Sequence, residues 1–382
     1  MAKFRERLEA ALSRIDDPAG EGARACLTVY RDAARAAADA ADARAKAGIS
    51  LGPLDGTIVS IKDLFDVAGE VTRAGSKLLA EEGKPAERDA PVVRRLRAAG
   101  AVIVAKTNMT EFAYSGIGAN PHFGTPGNPA DRKRIPPAGA FPLSYSLDSI
   151  GPMARSVKDC ADADVVMAGE EPFALEPAPL ASLRIGIPQG PPLDLLDDTV
   201  AKRFPVALGR LEKAGARLSD ETLPLIDAMA EVNAKGGVLP AEALAVHRDR
   251  LARRAEAIDP NVRLRLERAQ KITAADYVEM AHTRAALIRA MDARLADLDV
   301  LAMPTAPVVA PLMSEVATPE DFARKNALVL RNTTMWNFFD CCAISLPLPG
   351  SGLPVGLMLV ARNGQDRRLF RVAATVERLL SA

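Results

Sequence analysis

A helix and an apolar strand separated by a single glycine are the feature that most restricts how this sequence can fold. The helix is predicted over 89–100, with Asp89 as N-cap, Pro91 in the first turn and Gly100 at its end. Residues 101–105 then form a fully apolar segment that reads as a buried strand. A helix that leads directly into a buried strand favours a layered α/β architecture.

The same alternation continues along the rest of the chain. Thr273 and Asp276 have the spacing of a capping box, which predicts the start of a long helix at 274. Helices are predicted over 1–15, 31–47, 157–167, 199–215, 228–254, 274–298 and 366–380. Strands are predicted over 25–30, 57–61, 183–188, 216–223, 299–307, 344–347 and 353–361.

Composition excludes several classes of function. The 382 residues are 48% hydrophobic, which is enough to form one large core or two ordinary ones. Lys+Arg and Asp+Glu both number 49, and this balance favours neither nucleic acid nor an anionic membrane surface as partner. The four cysteines include no Cys-x-x-Cys pair and the three histidines have no ligand-like spacing. These patterns predict a reducing cytoplasm and no metal site.

Lys62 follows the predicted strand 57–61 and has two interpretations. Its amine can lie mostly buried in a cleft, where desolvation favours the neutral form that a lysine base requires. Alternatively, Lys62 extends to solvent and pairs with Asp63 or Asp66. Spacing alone favours the second interpretation.

Motifs on both sides of Lys62 carry a family resemblance. They are Gly-Pro-Leu-Asp-Gly at 52–56, Val-Ser-Ile-Lys-Asp-Leu-Phe-Asp-Val-Ala-Gly at 59–69 and Thr-Arg-Ala-Gly-Ser at 72–76. Together they resemble the lysine segment of the amidase signature family. Further similarity lies at 106–113, 140–155, 299–307, 344–347 and 353–361, so the resemblance covers nearly the whole chain in order. It implies that Lys62 is the base of a Ser–cis-Ser–Lys triad, and that Lys106 is not the catalytic lysine.

The family's central Gly/Ser-rich segment, with its cis-serine and nucleophilic serine, is absent between Arg132 and Lys133. The sequence passes from 124–132 directly to 133–139 and resumes the family pattern at 140. A Cα–Cα distance between Arg132 and Lys133 well above about 3.8 Å would indicate residues omitted from the numbering. If the chain is continuous there, we expect it to expose sheet surface.

Other polar residues near the motifs are interpreted as structural. Ser115, Ser144, Ser146 and Ser149 lie outside any Gly-rich loop, and the chain contains no Gly-x-Ser-x-Gly, so they are expected to be hydrogen-bonded loop serines. Glu111 is expected to cap its own segment, close to Thr107 or Asn108, and not to act as a general base.

The resemblance also implies the architecture and the chemistry. It implies an α/β fold whose mixed, largely buried β-sheet is covered by helices on both faces, in a single domain over 1–382 interrupted near 132/133. The implied reaction is hydrolysis of a carboxamide C–N bond through a serine acyl-enzyme, without metal or organic cofactor. The expected partner is a small-molecule amide, with neither membrane nor nucleic acid, and a homodimer is left open.

Two alternatives to this reaction remain open at the level of sequence. One is a catalytically inactive, amidase-like binding protein, which would bind a ligand without turning it over. The other is a transamidating subunit that acts on aminoacyl-tRNA, because one branch of the family does so. That alternative requires a partner that supplies ammonia and contacts the RNA.

Overall fold

The computed structural model describes residues 3–125 and 138–381. Its strands are β1 Cys26–Val29, β2 Ile58–Lys62, β3 Val102–Thr107, β4 Arg184–Pro188, β5 Arg217–Glu221, β6 Val300–Pro304, β7 Cys342–Pro347 and β8 Gly356–Ala361. Its α-helices are α1 Lys3–Asp16, α2 Gly22–Ala25, α3 Arg31–Lys46, α4 Lys77–Glu82, α5 Pro91–Ala98, α6 Val157–Ala168, α7 Asp198–Lys213, α8 Leu225–Ala234, α9 Val238–Arg254, α10 Pro260–Ala269, α11 Ala274–Arg294, α12 Pro319–Phe338 and α13 Asp366–Ser381. The junction between Arg132 and Lys133, at which the sequence predicted a gap, lies outside the described residues.

The described strands form two sheets of mixed orientation. The smaller has the order β1-β3-β2, with β2 parallel and β1 antiparallel to β3. The larger has the order β5-β4-β6-β8-β7, in which β5, β4 and β6 are parallel and β8 is antiparallel to both neighbours. The predicted mixed α/β class is confirmed, but within 3–125 and 138–381 its strands are divided between two sheets.

Alternating side chains cover both faces of the small sheet. Val102 and Val104 of β3 pack with Leu8 of α1 and Ala34 of α3. Ile103, which points to the opposite face, packs in a second cluster with residues of α5 and α6. Because successive strand residues face opposite sides, the apolar run in β3 supplies a core to each face.

The large sheet is built in the same way. Leu357 and Leu359 of β8 pack in one cluster with residues of α7 and α13, whereas Met358 and Val360 pack in another with residues of α8, α11 and α12. Both sheets therefore lie between layers of helices, as the resemblance implied for a single mixed sheet. No helix in the described part of the chain is both long enough and apolar enough to span a membrane.

The structure differs from the sequence prediction in two helical regions. The single helix expected over 228–254 is divided into α8 and α9 at Gly236 and Gly237, whose φ angles of 115° and 88° are rarely adopted by other residues. Helix α12 was not predicted, because its inward face carries buried Asn326 and Asn332 and so lacks a continuous apolar stripe. Both asparagines accept or donate long-range hydrogen bonds, such as that from Asn332 to the Pro304 carbonyl.

The buried His247 of α9 should make the stability of this fold sensitive to acid. Its ring is fully buried against Phe112, with 4.0 Å between ring centroids, and neither nitrogen has a hydrogen-bond partner among the described residues. Burial, assisted by the charge of Arg250, lowers the pKa of His247 from 6.5 to about 3. Between about pH 6.5 and about pH 3, the His247 ring is protonated in the unfolded chain but neutral in the folded one. The free energy of unfolding therefore falls as the pH is lowered through this range.

We expect this one group to remove about 2 kcal/mol of stability between about pH 7.5 and about pH 5. Replacement with leucine, in His247→Leu, should abolish that part of the pH dependence, measured by urea unfolding at the two pH values. His282→Leu is the matched control, because His282 is exposed on α11. An unchanged pH dependence in His247→Leu would contradict the interpretation.

Candidate active site

The candidate site lies where β2 and β3 end. The two strands are parallel, and their register places Lys62 opposite Thr107. Their carboxyl ends therefore lie at the same edge of the small sheet, and the segments that follow, from Asp63 and from Asn108, leave the sheet together. This edge is where open α/β sheets commonly bind ligands.

Lys62 is exposed at the end of β2, which is the outer strand of the small sheet among the described residues. This exposure agrees with the interpretation in which Lys62 extends to solvent, and not with the one in which its side chain lies mostly buried. The parallel register nevertheless directs the segment after Lys62 to the edge of the sheet at which β3 also ends.

The buried lysine at this edge is instead Lys106. Its side chain is fully buried, 3.8 Å from an Asp63 oxygen and 4.0 Å from a Glu70 oxygen. Asp63 is also fully buried, and Arg73 lies 3.4 Å from the same Asp63 oxygen. Burial lowers the pKa of Lys106 and raises the pKa of Asp63, in each case against the attraction of the opposite charges around it.

Asp63 joins the end of β3 to the residues that follow β2, through both its backbone and its side chain. Its backbone N–H donates to the Thr107 carbonyl and its carbonyl accepts from Ala74. Its carboxylate accepts a 3.2 Å hydrogen bond from the Gly75 N–H. We conclude that Asp63 and Lys106 hold the segment that follows Lys62 against the end of β3.

Glu111 does not cap its own segment, and that prediction is wrong. Its fully buried carboxylate accepts a 2.6 Å hydrogen bond from the Asp259 N–H and lies 3.0 Å from His122 Nε2. Burial raises the pKa of Glu111. Spacing gave no signal for this cluster, because Asp259 is 148 residues away in the sequence.

The serines that remain in the sequence have structural contacts. Ser115 Oγ donates to the Asn326 side chain at 2.9 Å, and Ser144 Oγ donates to Glu242. Glu242 also accepts hydrogen bonds from the Ser146 N–H and from the Tyr277 hydroxyl. The interpretation of these serines as hydrogen-bonded loop residues is confirmed for Ser115 and Ser144.

The sequence of this chain matches a known protein family. The family model described as Amidase matches residues 6–140 and 132–370. The chain belongs to the amidase family. This membership places it among amidohydrolases, the enzymes that hydrolyse amides. The two matched ranges overlap over 132–140, a stretch that includes the junction between Arg132 and Lys133.

Named relatives span nearly the full length of this amidase-family chain. A 2-amino-5-chloromuconic acid deaminase from Comamonas testosteroni is 31% identical over 443 aligned positions, covering 99% of this chain and 95% of the relative. An amidase from Pseudomonas putida is 31% identical, with coverages of 98% and 92%. A glutamyl-tRNA(Gln) amidotransferase subunit from Anaeromyxobacter sp. (strain K) is also 31% identical, with the same two coverages.

The fold is shared with a solved amidase. Its crystal structure superposes with a TM-score of 0.83 at 27% identity, covering 99% of this chain and 96% of the other.

Within 3–125 and 138–381, no cluster of three or more His, Cys, Asp or Glu side chains is arranged so that it could hold a metal ion.

The contrast between the two lysines gives a stability prediction. Lys106→Met should lower the free energy of unfolding by about 3 kcal/mol, because it removes a cation from the buried Asp63 carboxylate. Lys62→Met, the same substitution at an exposed lysine, should change it by less than about 0.5 kcal/mol. Urea unfolding at neutral pH measures both. Equal losses in the two variants would contradict the assignment of Lys106 as the structural lysine.

Proposed function

We propose that this amidase-family protein hydrolyses carboxamide C–N bonds through a serine acyl-enzyme, with Lys62 as base. The observation that carries the proposal is the position of Lys62, at the carboxyl end of β2 and within the first range matched by the family model. The two catalytic serines are assigned to the segment absent between Arg132 and Lys133, because the sequence around Lys62 otherwise follows the family pattern.

Two features of the comparisons support an internal gap at that place. The alignment with the muconic acid deaminase spans 443 positions, whereas this chain has 382 residues, so at least 61 positions contain no residue of this chain. The relative is nevertheless covered over 95% of its length. The division of the family match at 132–140 supports locating the gap beside Arg132.

The exposure of Lys62 in this chain explains what the segment has to supply besides its serines. A lysine base must be neutral, and burial is what lowers the pKa of a lysine. In the described structure nothing extends the small sheet beyond β2, and Lys62 is exposed there. A segment that covers the outer edge of β2 would desolvate the amine and favour its neutral form.

In the complete site, neutral Lys62 accepts the proton of the cis-serine. The cis-serine in turn accepts the proton of the nucleophilic serine as that oxygen attacks the amide carbon. The C–N bond then breaks, the leaving amine takes up the proton that Lys62 accepted, returned through the cis-serine, and water hydrolyses the resulting acyl-enzyme. Backbone N–H groups of the segment stabilise the oxyanion, with roughly 3–4 kcal/mol for each donor. No step of this scheme requires a metal or an organic cofactor.

We further propose that residues 1–382 form one domain around this site. Support comes from a shared apolar cluster in which Met109 and Tyr114 pack with Leu251 of α9 and Leu266 of α10. The substrate we propose is a small carboxamide, and the compartment is the cytoplasm.

Two other functions fit particular observations. A transamidating role is favoured by the relatives that are glutamyl-tRNA(Gln) amidotransferase subunits, some of which are 31% identical to this chain. A binding protein without turnover is favoured by the absence of the two Gly-rich serine loops from the sequence. Ammonia-dependent activity with copurifying subunits would indicate the first, and ligand binding without turnover after the segment is restored would indicate the second.

The test restores the missing segment. Insertion of the corresponding segment of the Pseudomonas putida amidase between Arg132 and Lys133 should produce hydrolysis of simple carboxamides, with an acyl-enzyme that hydroxylamine traps as a hydroxamate. Lys62→Ala in the restored protein should lower kcat/KM by about 10²–10⁴-fold while the fold is retained. The original chain should remain near the uncatalysed rate.

Lys158→Ala is the matched control, because Lys158 is an exposed lysine on α6. Near-normal activity of the Lys62→Ala variant would contradict the role of Lys62. Equal activity with and without the segment would contradict the assignment of the serines to it.

A further inference from the structure

A small cavity lies between α9 and α10, apart from the end of β2. Its volume is about 270 Å³, just below the usual range of about 300–1,000 Å³ for ligand sites. Tyr114, Arg265 and Arg268 supply its polar lining, and Pro240, Ala269 and Ile272 supply apolar walls. The cavity therefore combines concentrated positive charge with aliphatic surface.

Tyr114 lines this cavity and carries an unsatisfied polar group. The residue is 1% exposed, and its hydroxyl has no hydrogen-bond partner among the described residues. A buried hydroxyl left without a partner costs about 1–3 kcal/mol. An acceptor oxygen from a molecule in the cavity would remove that cost.

The backbone that leads to Tyr114 is strained. Phe112 and Ala113 have φ angles of 55° and 59°, in the left-handed region that residues with a β-carbon rarely adopt. Such strain persists only where the surrounding contacts enforce it, and it is concentrated at functional sites. Here Glu111 fixes one side of the strained pair through the Asp259 N–H, and Tyr114 lies on the other.

Arg265 and Arg268 lie one turn apart on α10. The Arg265 guanidinium stacks 3.9 Å from the centroid of the Tyr114 ring and donates one hydrogen bond to the Tyr114 carbonyl. A guanidinium has five N–H donors, so further donors remain for a ligand. No carboxylate in the described part of the chain lies within 4.0 Å of either guanidinium, whereas Arg263 of the same helix pairs with Glu267 at 3.5 Å.

We propose that this cavity binds the carboxylate of a small aliphatic acid, with the Tyr114 hydroxyl and the guanidinium groups of Arg265 and Arg268 as donors. A carboxylate matches the planar fork of arginine and accepts from a phenol at the same time. The aliphatic remainder of the ligand packs on Pro240 and Ile272, which a fully hydrated inorganic anion does not require. The proposal does not depend on Lys62 or on the missing segment, because the whole lining is present in this chain.

Isothermal titration of the full chain at constant ionic strength tests the proposal, with succinate and glutarate as probes. Saturable binding of at least one of the two acids is expected, with no binding of the neutral succinamide. Tyr114→Phe and Arg268→Ala should each weaken that binding by at least about tenfold. Arg263→Ala, which removes an arginine from the same helix outside the cavity, should leave it unchanged.

Thermal unfolding separates binding from folding. Tyr114→Phe should be at least as stable as the original chain without ligand, because it removes only an unsatisfied hydroxyl, and it should lose the stabilisation that the acid provides. Absence of saturable acid binding, or equal binding by Tyr114→Phe and the original chain, would overturn the proposal. Binding of inorganic phosphate as tight as that of the acids would overturn the assignment to a carboxylate.

Discussion

Parallel pairing of β2 with β3 is the interaction on which the candidate site depends. It places Lys62 opposite Thr107 and directs the segments that follow both strands to one edge of the small sheet. The hydrogen bonds from Asp63 to Thr107 and from Ala74 to Asp63 then hold those segments together. A change of register by one residue would turn Lys62 to the opposite face of the sheet.

Charge is distributed unevenly around this edge. The fully buried Lys106, Asp63 and Glu111 have contacts within the protein, and such groups are costly unless their neighbours compensate them. Lys62 is exposed, at an edge where the described sheet ends. The buried contacts at this edge are therefore present in this chain, whereas under the proposed function the surroundings that would make Lys62 a neutral base belong to the segment we assign between Arg132 and Lys133.

Local patterns predicted a large part of this fold. The helix–glycine–strand unit corresponds to α5 and β3, and the Thr273–Asp276 capping box begins α11. Burial depends on tertiary contacts, so the sequence did not distinguish the exposed Lys62 from the buried Lys106. The Glu111–Asp259 contact and the polar inward face of α12 were missed for the same reason, since their partners lie far away in the chain. The motifs around Lys62 located the site although periodicity did not.

The proton affinity of Lys62 tests the central claim most directly. Its amine can be titrated by NMR in the original chain and in the chain with the segment restored, using Lys62→Ala to assign the signal. Restoring the segment should lower the pKa of Lys62 well below the ordinary lysine value of about 10.4, because the segment buries the amine. The same pKa in both proteins would contradict the claim that the segment converts Lys62 into a base.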